Sequence, residues 1–489
     1  MLTLGELFEA VTGIKPSGSE SVAPFLRERI TRVAIDSRQV IPGAVFFALQ
    51  GEALDGHQFI GEALARGAIA IVGSARAREL GFDRSLTLID VAGLQSNPNS
   101  RVGTVPCFIT ENSLLALQKF AAHWRRKFPN VQVIGVTGSV GKTSTKELIW
   151  AVLKQRYRTL KSQGNLNSET GLPLTLFDLN ETHTRAVLEM GTYAPREIAT
   201  LCEIAEPKIG VVTLVAPIHL ERLGTIDTIA DAKAELVEAL PADGWAILNG
   251  DDVRVRAMRE KTRAQVLTFG LDRTNDVWAD EIASQGLGGM EFALHYQESH
   301  LHVRVPLLGQ HSVHTALAAA AVGIVEGLAW EEILRGLMDV SAQLRLIAVP
   351  GKNGITILDD TYNASPPSTL SALNLLKEMS GRKIAVLGDM RELGAYENKG
   401  HQLVGIRAGE IADVIIAVGT LGKLIGDAAR EHGHAEVHYA HGNGQAIAQI
   451  QRVAQRGDMV LIKGSRGAQM EEIVQALAED TEAHGGMMH

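Results

Sequence analysis

Short apolar runs alternate with helix-like stretches along almost the whole chain, and that alternation predicts its elements. Near-continuous apolar runs at 131–136, 186–189, 209–215 and 245–248 are separated by stretches with helical spacing. Strands apolar on both faces and divided by helices form parallel sheets covered on both sides. Residues 278–305 instead alternate and are rich in His and Glu, the pattern of antiparallel strands at a sheet's edge. A small-residue helix with a polar start follows at 309–322. Apolar runs at 355–358, 383–387, 414–418 and 459–462 then predict a second open α/β sheet. Ahead of all these, 33–38 and 43–49 read as short strands around Pro42-Gly43, and 68–73 as a strand following a helix. A polar, turn-rich stretch at 95–103 precedes Asn112, which is placed to cap an amphipathic helix over 113–126.

The fold class is therefore α/β in three domains: a small α/β domain at 1–110, a central parallel-sheet domain at 111–340, and a Rossmann-like α/β domain at 341–480. The polar Gly/Met-rich tail at 481–489 is expected to be disordered. A length of 489 residues agrees with about three domains. A net charge of −9 and few aromatic residues argue against a nucleic-acid surface. Two cysteines, Cys107 and Cys202, give neither a disulfide framework nor a Cys-based zinc site. The first residues lack the basic and apolar regions of a signal peptide, and no apolar run reaches the roughly 18 residues of a membrane span. A cytoplasmic protein that inserts into no membrane is the expectation.

The chemistry concentrates in Val133-Ile-Gly-Val-Thr-Gly-Ser-Val-Gly-Lys-Thr-Ser144. An apolar strand runs into a Gly-rich turn and then into a helix, the layout of a phosphate-binding loop. Backbone N–H groups of the turn and the positive helix end face an anion. Lys142 reaches the β/γ-phosphates, and the Thr143 hydroxyl suits the nucleotide's Mg²⁺. The usual spacing puts Gly at 136, where this chain has Val, so the loop takes a narrower Thr-Gly-x-x-Gly-Lys-Thr form from Thr137 to Thr143. The plainer alternative is a Gly-rich strand-to-helix turn with a chance Lys.

Ligands of open α/β sheets collect beyond the carboxyl ends of the strands. Those ends carry Glu189-Met-Gly191, Ala216-Pro-Ile-His219 and Asn249-Gly-Asp-Asp252. A carboxylate, an imidazole and a hydroxyl beside bound phosphates suit a hard cation such as Mg²⁺. Taken singly, Glu189 also fits a helix-capping role and His219 an ordinary loop histidine. Lys233 falls in a helical stretch whose apolar stripe is Ile229, Leu236, Val237 and Leu240, and its plain reading is a solvated helix face.

These segments, in this order, resemble the ATP-dependent Mur ligases of peptidoglycan synthesis over roughly 35–477. Thr137 to Ser144 is similar to the family's phosphate loop. Gly164-Asn-Leu-Asn167, Thr170-Gly-Leu-Pro-Leu-Thr175, Glu189-Met-Gly191, His219-Leu-Glu221 and Leu308-Gly-Gln-His311 resemble its central domain. Leu358-Asp-Asp-Thr-Tyr-Asn-Ala-Ser-Pro366, Gly388-Asp-Met-Arg-Glu-Leu-Gly394 and Lys463-Gly-Ser-Arg466 are most like the members that add D-alanyl-D-alanine. Ile35-Asp-Ser-Arg38 with Pro42 to Leu49 resembles the family's UDP-sugar domain.

The resemblance implies roles. Gly138, Ser139, Val140, Gly141, Lys142, Thr143 and Ser144 would hold ATP phosphates, Asn249 would meet the adenine, and Asp360 and Arg345 would close over the nucleotide. Thr143 and Glu189 would bind one Mg²⁺ and His219 a second. Lys233 falls where the family carries a carbamylated lysine that steadies the metal. Lys142, His219, Lys233 and Arg345 would be the catalytic set. Ser37, Arg38, Asn165 and Asn167 would serve the UDP-linked substrate, and Asp389 and Glu392 the dipeptide. The implied partners are UDP-MurNAc-tripeptide, D-Ala-D-Ala and ATP, acting on a monomer. One segment departs from the family: Gln343-Leu-Arg345 stands where Pro-Gly-Arg is usual.

Three rivals remain. A Mur ligase adding meso-diaminopimelate or L-lysine is expected to carry an Asp-Asn-Pro-type segment in its third domain, which this chain lacks. Folylpolyglutamate synthase has its phosphate loop near the N-terminus, whereas some 130 residues precede it here. A regulatory P-loop NTPase would hydrolyse ATP without small substrates, and Glu189 alone does not exclude it.

Overall fold

The computed structural model describes residues 1–16, 24–51, 54–82, 85–91, 105–218, 220–339 and 346–479. The turn-rich stretch at 95–103, His219, Arg345 and the tail at 481–489 lie outside them. Packing divides the chain into two units: Met1–Ile134 with Arg158–Met190 and Glu197–Pro207, and Gly135–Tyr157 with Gly191–Arg196 and the chain from Lys208 onward.

In the first unit five parallel strands lie in the order Arg32–Ala34, Ala44–Phe47, Ala70–Gly73, Pro106–Ile109, Thr87–Asp90. The run Ala-Val-Phe-Phe shows why. Successive strand residues point to opposite faces, so Val45 and Phe47 enter one core with Leu4, Leu7, Phe8, Leu117 and Phe120. Ala44 and Phe46 enter the other with Ile60, Ala63 and Ile71. The helix Ser113–Arg126 starts where expected: Asn112 Oδ1 accepts the Leu115 N–H at 3.0 Å. Its Phe120 meets Phe47 and Phe177 at ring distances of 6.4 and 4.8 Å. The expected strand at 33–38 stops at Ala34, because Asp36 caps a short 3₁₀ turn, Ser37–Gln39, through the Arg38 N–H. A further parallel pair in this unit joins Thr159–Lys161 to Arg185–Glu189.

The second unit holds two sheets. One runs Ser299–Val305, Met290–Tyr296, Val277–Ser284, Gln265–Gly270, Trp245–Asn249, Ile209–Val212. Its first three strands are antiparallel to one another and the rest parallel, so 278–305 behaves as its alternation predicted. The helices Lys142–Leu153, His311–Val325 and Trp330–Leu337 pack together beside it. The other sheet runs Ile347–Gly351, Ile355–Asp359, Met459–Lys463, Lys383–Leu387, Val414–Val418, Glu436–Ala440, all parallel except the first. Leu358, Leu373, Leu387 and Leu461 fill one face, and Ile357, Val386, Ile416 and Ile462 the other.

Phe120→Ala removes a fully buried ring that ties the helix to the first sheet. It is expected to cost about 3–5 kcal/mol, read as a lower denaturant midpoint; a loss below about 1 kcal/mol would contradict this anchoring.

Candidate active site

The strand Gln132–Thr137 delivers the phosphate loop, and the helix Lys142–Leu153 leaves it. Two glycines take left-handed angles, Gly138 at φ +145° and Gly141 at φ +87°. A Cβ on Gly138 would come within 1.9 Å of Thr213 Oγ1, so the turn needs glycine for space as well as for angle. Thr213 locks the loop: its N–H donates to Thr137 O (3.0 Å) and its hydroxyl to Val140 O (2.6 Å). Ser139 is buried and exchanges bonds with Ala216, its hydroxyl donating at 3.0 Å and accepting at 2.9 Å. Lys142 Nζ curls back to Gly138 O at 2.8 Å. The helix end, the turn and this ammonium together form a half-exposed anion cradle. Val140, Thr143 and Ser144 stand on its half-buried rim.

Lys233 corrects the solvated-face reading. On the helix Ile226–Glu238 it is buried at 2% exposure. Burial, with Lys142 near enough to repel, drives its amine well below the usual lysine range. Periodicity misses this because Lys scores as polar wherever it falls. Nearby, the Gly191–Arg196 segment is tied to the same helix by the Arg196 N–H donating to Glu235 Oε1 at 2.6 Å.

At the end of Trp245–Asn249, Asn249 is buried and its Oδ1 accepts the Asp251 N–H at 3.1 Å. Asp251 organises two loops. Its carboxylate accepts from the N–H groups of Leu271 (2.6 Å) and Asp272 (3.2 Å), from Asn275 Nδ2 (2.9 Å) and from His314 Nε2 (2.8 Å). Burial raises the Asp251 pKa, but the His314 bond and the two backbone donors outweigh it and hold the carboxyl well below its usual range. No local pattern reveals this cluster, since His314 and Asp251 are far apart along the chain.

The third-domain strand ends carry a further set. Lys463 Nζ, buried, bonds Asp360 Oδ2 at 2.6 Å and Asn363 O at 2.8 Å. His311 opens its helix at an exposed position; partial desolvation by the surrounding protein lowers its pKa, with Asp360 raising it and Lys463 and His314 lowering it further. Leu308 packs against the core of this domain, so the Leu308-Gly-Gln-His311 segment meets the Asp360 segment. Asp389 Oδ1 accepts the N–H groups of Leu421 and Gly422, both at 2.9 Å, and so caps a helix start. Glu392 is exposed at φ +64°. Buried His401, also unforeseen, accepts the Met390 N–H at 3.0 Å and fixes the same loop.

In the first unit, Glu189 is fully buried at its strand end, and its Oε1 accepts from Asn167 Nδ2 at 2.8 Å. Asn165 is exposed beside it, its carbonyl accepting the Asn167 N–H at 2.7 Å. Ser37 is buried and donates to Glu62 Oε2 at 2.7 Å, while exposed Arg38 pairs with Asp36 at 2.7 Å. His57, buried beside Asp55 (2.6 Å) and accepting the Ser74 N–H (2.9 Å), is a fixed histidine that the sequence did not single out.

Comparisons with known proteins follow this layout. The chain matches the Mur ligase family, catalytic domain, over residues 29–125. It matches the Mur ligase middle domain over 136–323 and the Mur ligase, glutamate ligase domain, over 344–466. It is 34% identical over 453 residues to the UDP-N-acetylmuramoyl-tripeptide–D-alanyl-D-alanine ligase of Bacillus subtilis, covering 91% of this chain and 93% of that one. Among solved structures, MurF from Acinetobacter baumannii superposes with a TM-score of 0.80 at 28% identity, covering 97% of this chain and 98% of that one. MurF from Thermotoga maritima in complex with ADP gives 0.74 at 28% identity, covering 91% and 96%.

Two outcomes test this geometry. Gly138→Ala is expected to abolish ADP binding in calorimetry, because the new methyl enters the space of Thr213; retained affinity would contradict the loop packing. Lys233→Met is expected to melt higher than the parent at pH 7 in bicarbonate-free buffer. The parent's unfolded chain takes up a proton that its folded amine does not hold, so parental stability rises with pH up to the ordinary lysine value of 10.5. The variant's advantage therefore shrinks towards that pH; a variant less stable at every pH would contradict a neutral, buried Lys233.

Proposed function

The chain belongs to the Mur ligase family, and from that premise we propose that it joins D-alanyl-D-alanine to UDP-N-acetylmuramoyl-tripeptide with ATP. The observation that carries this reading is the likeness, over nine-tenths of both chains, to a relative of that name. The phosphate loop and the ADP held by a similar structure support ATP as the co-substrate. A structure of the ligase that adds diaminopimelate is less similar, at 20% identity and a TM-score of 0.51, and a regulatory NTPase does not account for the matches in the outer domains.

A carboxylate is a poor acyl donor. In the proposed reaction its oxygen attacks the γ-phosphorus of ATP, ADP leaves, and the acyl phosphate is then attacked by the neutral amine of the dipeptide. The amide forms, and phosphate departs with the oxygen that joined it to the acyl carbon. Phosphoryl transfer of this kind needs positioning and charge neutralisation more than covalent help. Gly138, Ser139, Val140, Gly141, Lys142, Thr143 and Ser144 hold the phosphates, Asn249 meets the adenine, and Asp360 and Arg345 approach the nucleotide from the third domain.

Mg²⁺ would supply further neutralisation when bound. The residues suit it: Glu189 is a buried carboxylate oriented by Asn167, and Thr143 offers a hydroxyl at a helix start. Thr143 and Glu189 are assigned to one ion and His219 to a second. Lys233 suits carbamylation, because only a neutral amine adds to carbon dioxide and burial pushes the amine towards that form; the carbamate would add an anionic ligand. Lys142, His219, Lys233 and Arg345 form the proposed catalytic set. Ser37, Arg38, Asn165 and Asn167 serve the UDP-linked substrate, and Asp389 and Glu392 the dipeptide. The domains are taken as 1–110, 111–340 and 341–480. No helix among the described residues is long and apolar enough to cross a membrane; a cytoplasmic monomer is the proposed setting.

The test is phosphate release from Mg-ATP with UDP-MurNAc-tripeptide, with and without D-Ala-D-Ala, alongside mass detection of the product. Release that needs both substrates, with a UDP-MurNAc-pentapeptide product, is expected. Release independent of both would favour the NTPase reading. A product formed only from UDP-MurNAc-dipeptide and a free amino acid would assign the earlier ligase step.

A further inference from the structure

The phosphate-loop helix carries a second ionisable pair that the reaction as described does not use. Lys146 and Glu147 are both buried, and Lys146 Nζ lies 3.0 Å from Glu147 Oε1. Residues four apart on a helix share a face, about 6 Å apart along its axis. Lys146 therefore stands one turn below Lys142, and Glu147 one turn below Thr143. Long helical side chains lean back towards the helix start, here towards the loop. Removing two charges from water is costly, and such a pair adds little stability over an apolar one. Its place one turn below the loop lets it act on the charge that the loop presents.

We propose that Lys146 and Glu147 are positioning residues for the nucleotide's phosphates. Lys146 fixes a positive charge beneath the loop, adding to the potential that the helix start and Lys142 present to the anion. Glu147 holds that charge in place and limits its strength. The inference rests on the nucleotide reading of the loop.

Calorimetric titration of the full chain with Mg-ADP tests it, using K146M, E147Q, K146R and the double variant K146M/E147Q, with melting curves for each. Both single charge removals are expected to lower the melting temperature, because each breaks a buried ion pair. Their effects on affinity are expected to be opposite: K146M weakens Mg-ADP binding about ten-fold and E147Q tightens it about three-fold. K146R keeps the charge and holds affinity within about three-fold of the parent, and the double variant lies between the two single ones. A merely structural pair would move both single variants the same way or neither, and either result overturns the proposal. A K146R loss as large as that of K146M also overturns it. A parent chain that binds no Mg-ADP overturns the nucleotide reading itself, and this inference with it.

Discussion

A lysine buried near a second lysine cannot keep its charge at ordinary cost, and that constraint sets Lys233 apart from Lys142. Lys142 sits on the half-exposed rim of the loop, where solvent and loop carbonyls support its charge. Lys233 lies buried near it and is driven towards the free amine. The same stretch of protein thus holds a half-exposed cation and a buried amine pushed towards its neutral form. The first reading needs only the loop sequence; the second depends on burial created by the helix Ile226–Glu238 packing against the sheet.

The second unit arranges its polar groups by one rule. Apolar residues occupy the strand interiors on both faces, so chemistry is pushed to the carboxyl ends. There Asn249, Asp251, Asp360, Asp389 and Lys463 follow directly on strands or on the loops that leave them. Each is held by backbone donors or by a buried partner rather than by solvent. Such fixed groups need little reorganisation when charge moves during a reaction.

The phosphate loop was legible because its function is local: two glycines, a lysine and a threonine at fixed spacing dictate turn, helix start and charge together. The central strands were legible for a similar reason, being apolar on both faces. Six described strands were not, among them Thr87–Asp90 and Pro106–Ile109, each only four residues long. Thr159–Lys161 is only three residues long, and Gln265–Gly270 begins with exposed residues. Ile347–Gly351 and Glu436–Ala440 are edge strands with exposed or half-exposed positions, so neither shows a buried run. Lys233, His57, His401 and the Asp251–His314 pair escaped because their roles come from tertiary burial or from partners distant in the chain. The resemblance alone singled out Lys233, and what the fold adds is its burial.

The most direct test of the proposed chemistry follows oxygen. UDP-MurNAc-tripeptide labelled with ¹⁸O in its terminal carboxylate would be turned over with ATP and D-Ala-D-Ala, and the released phosphate weighed. An acyl-phosphate route places one carboxylate oxygen in each phosphate as the amide forms. Unlabelled phosphate alongside an authentic pentapeptide product would contradict activation through the phosphate loop.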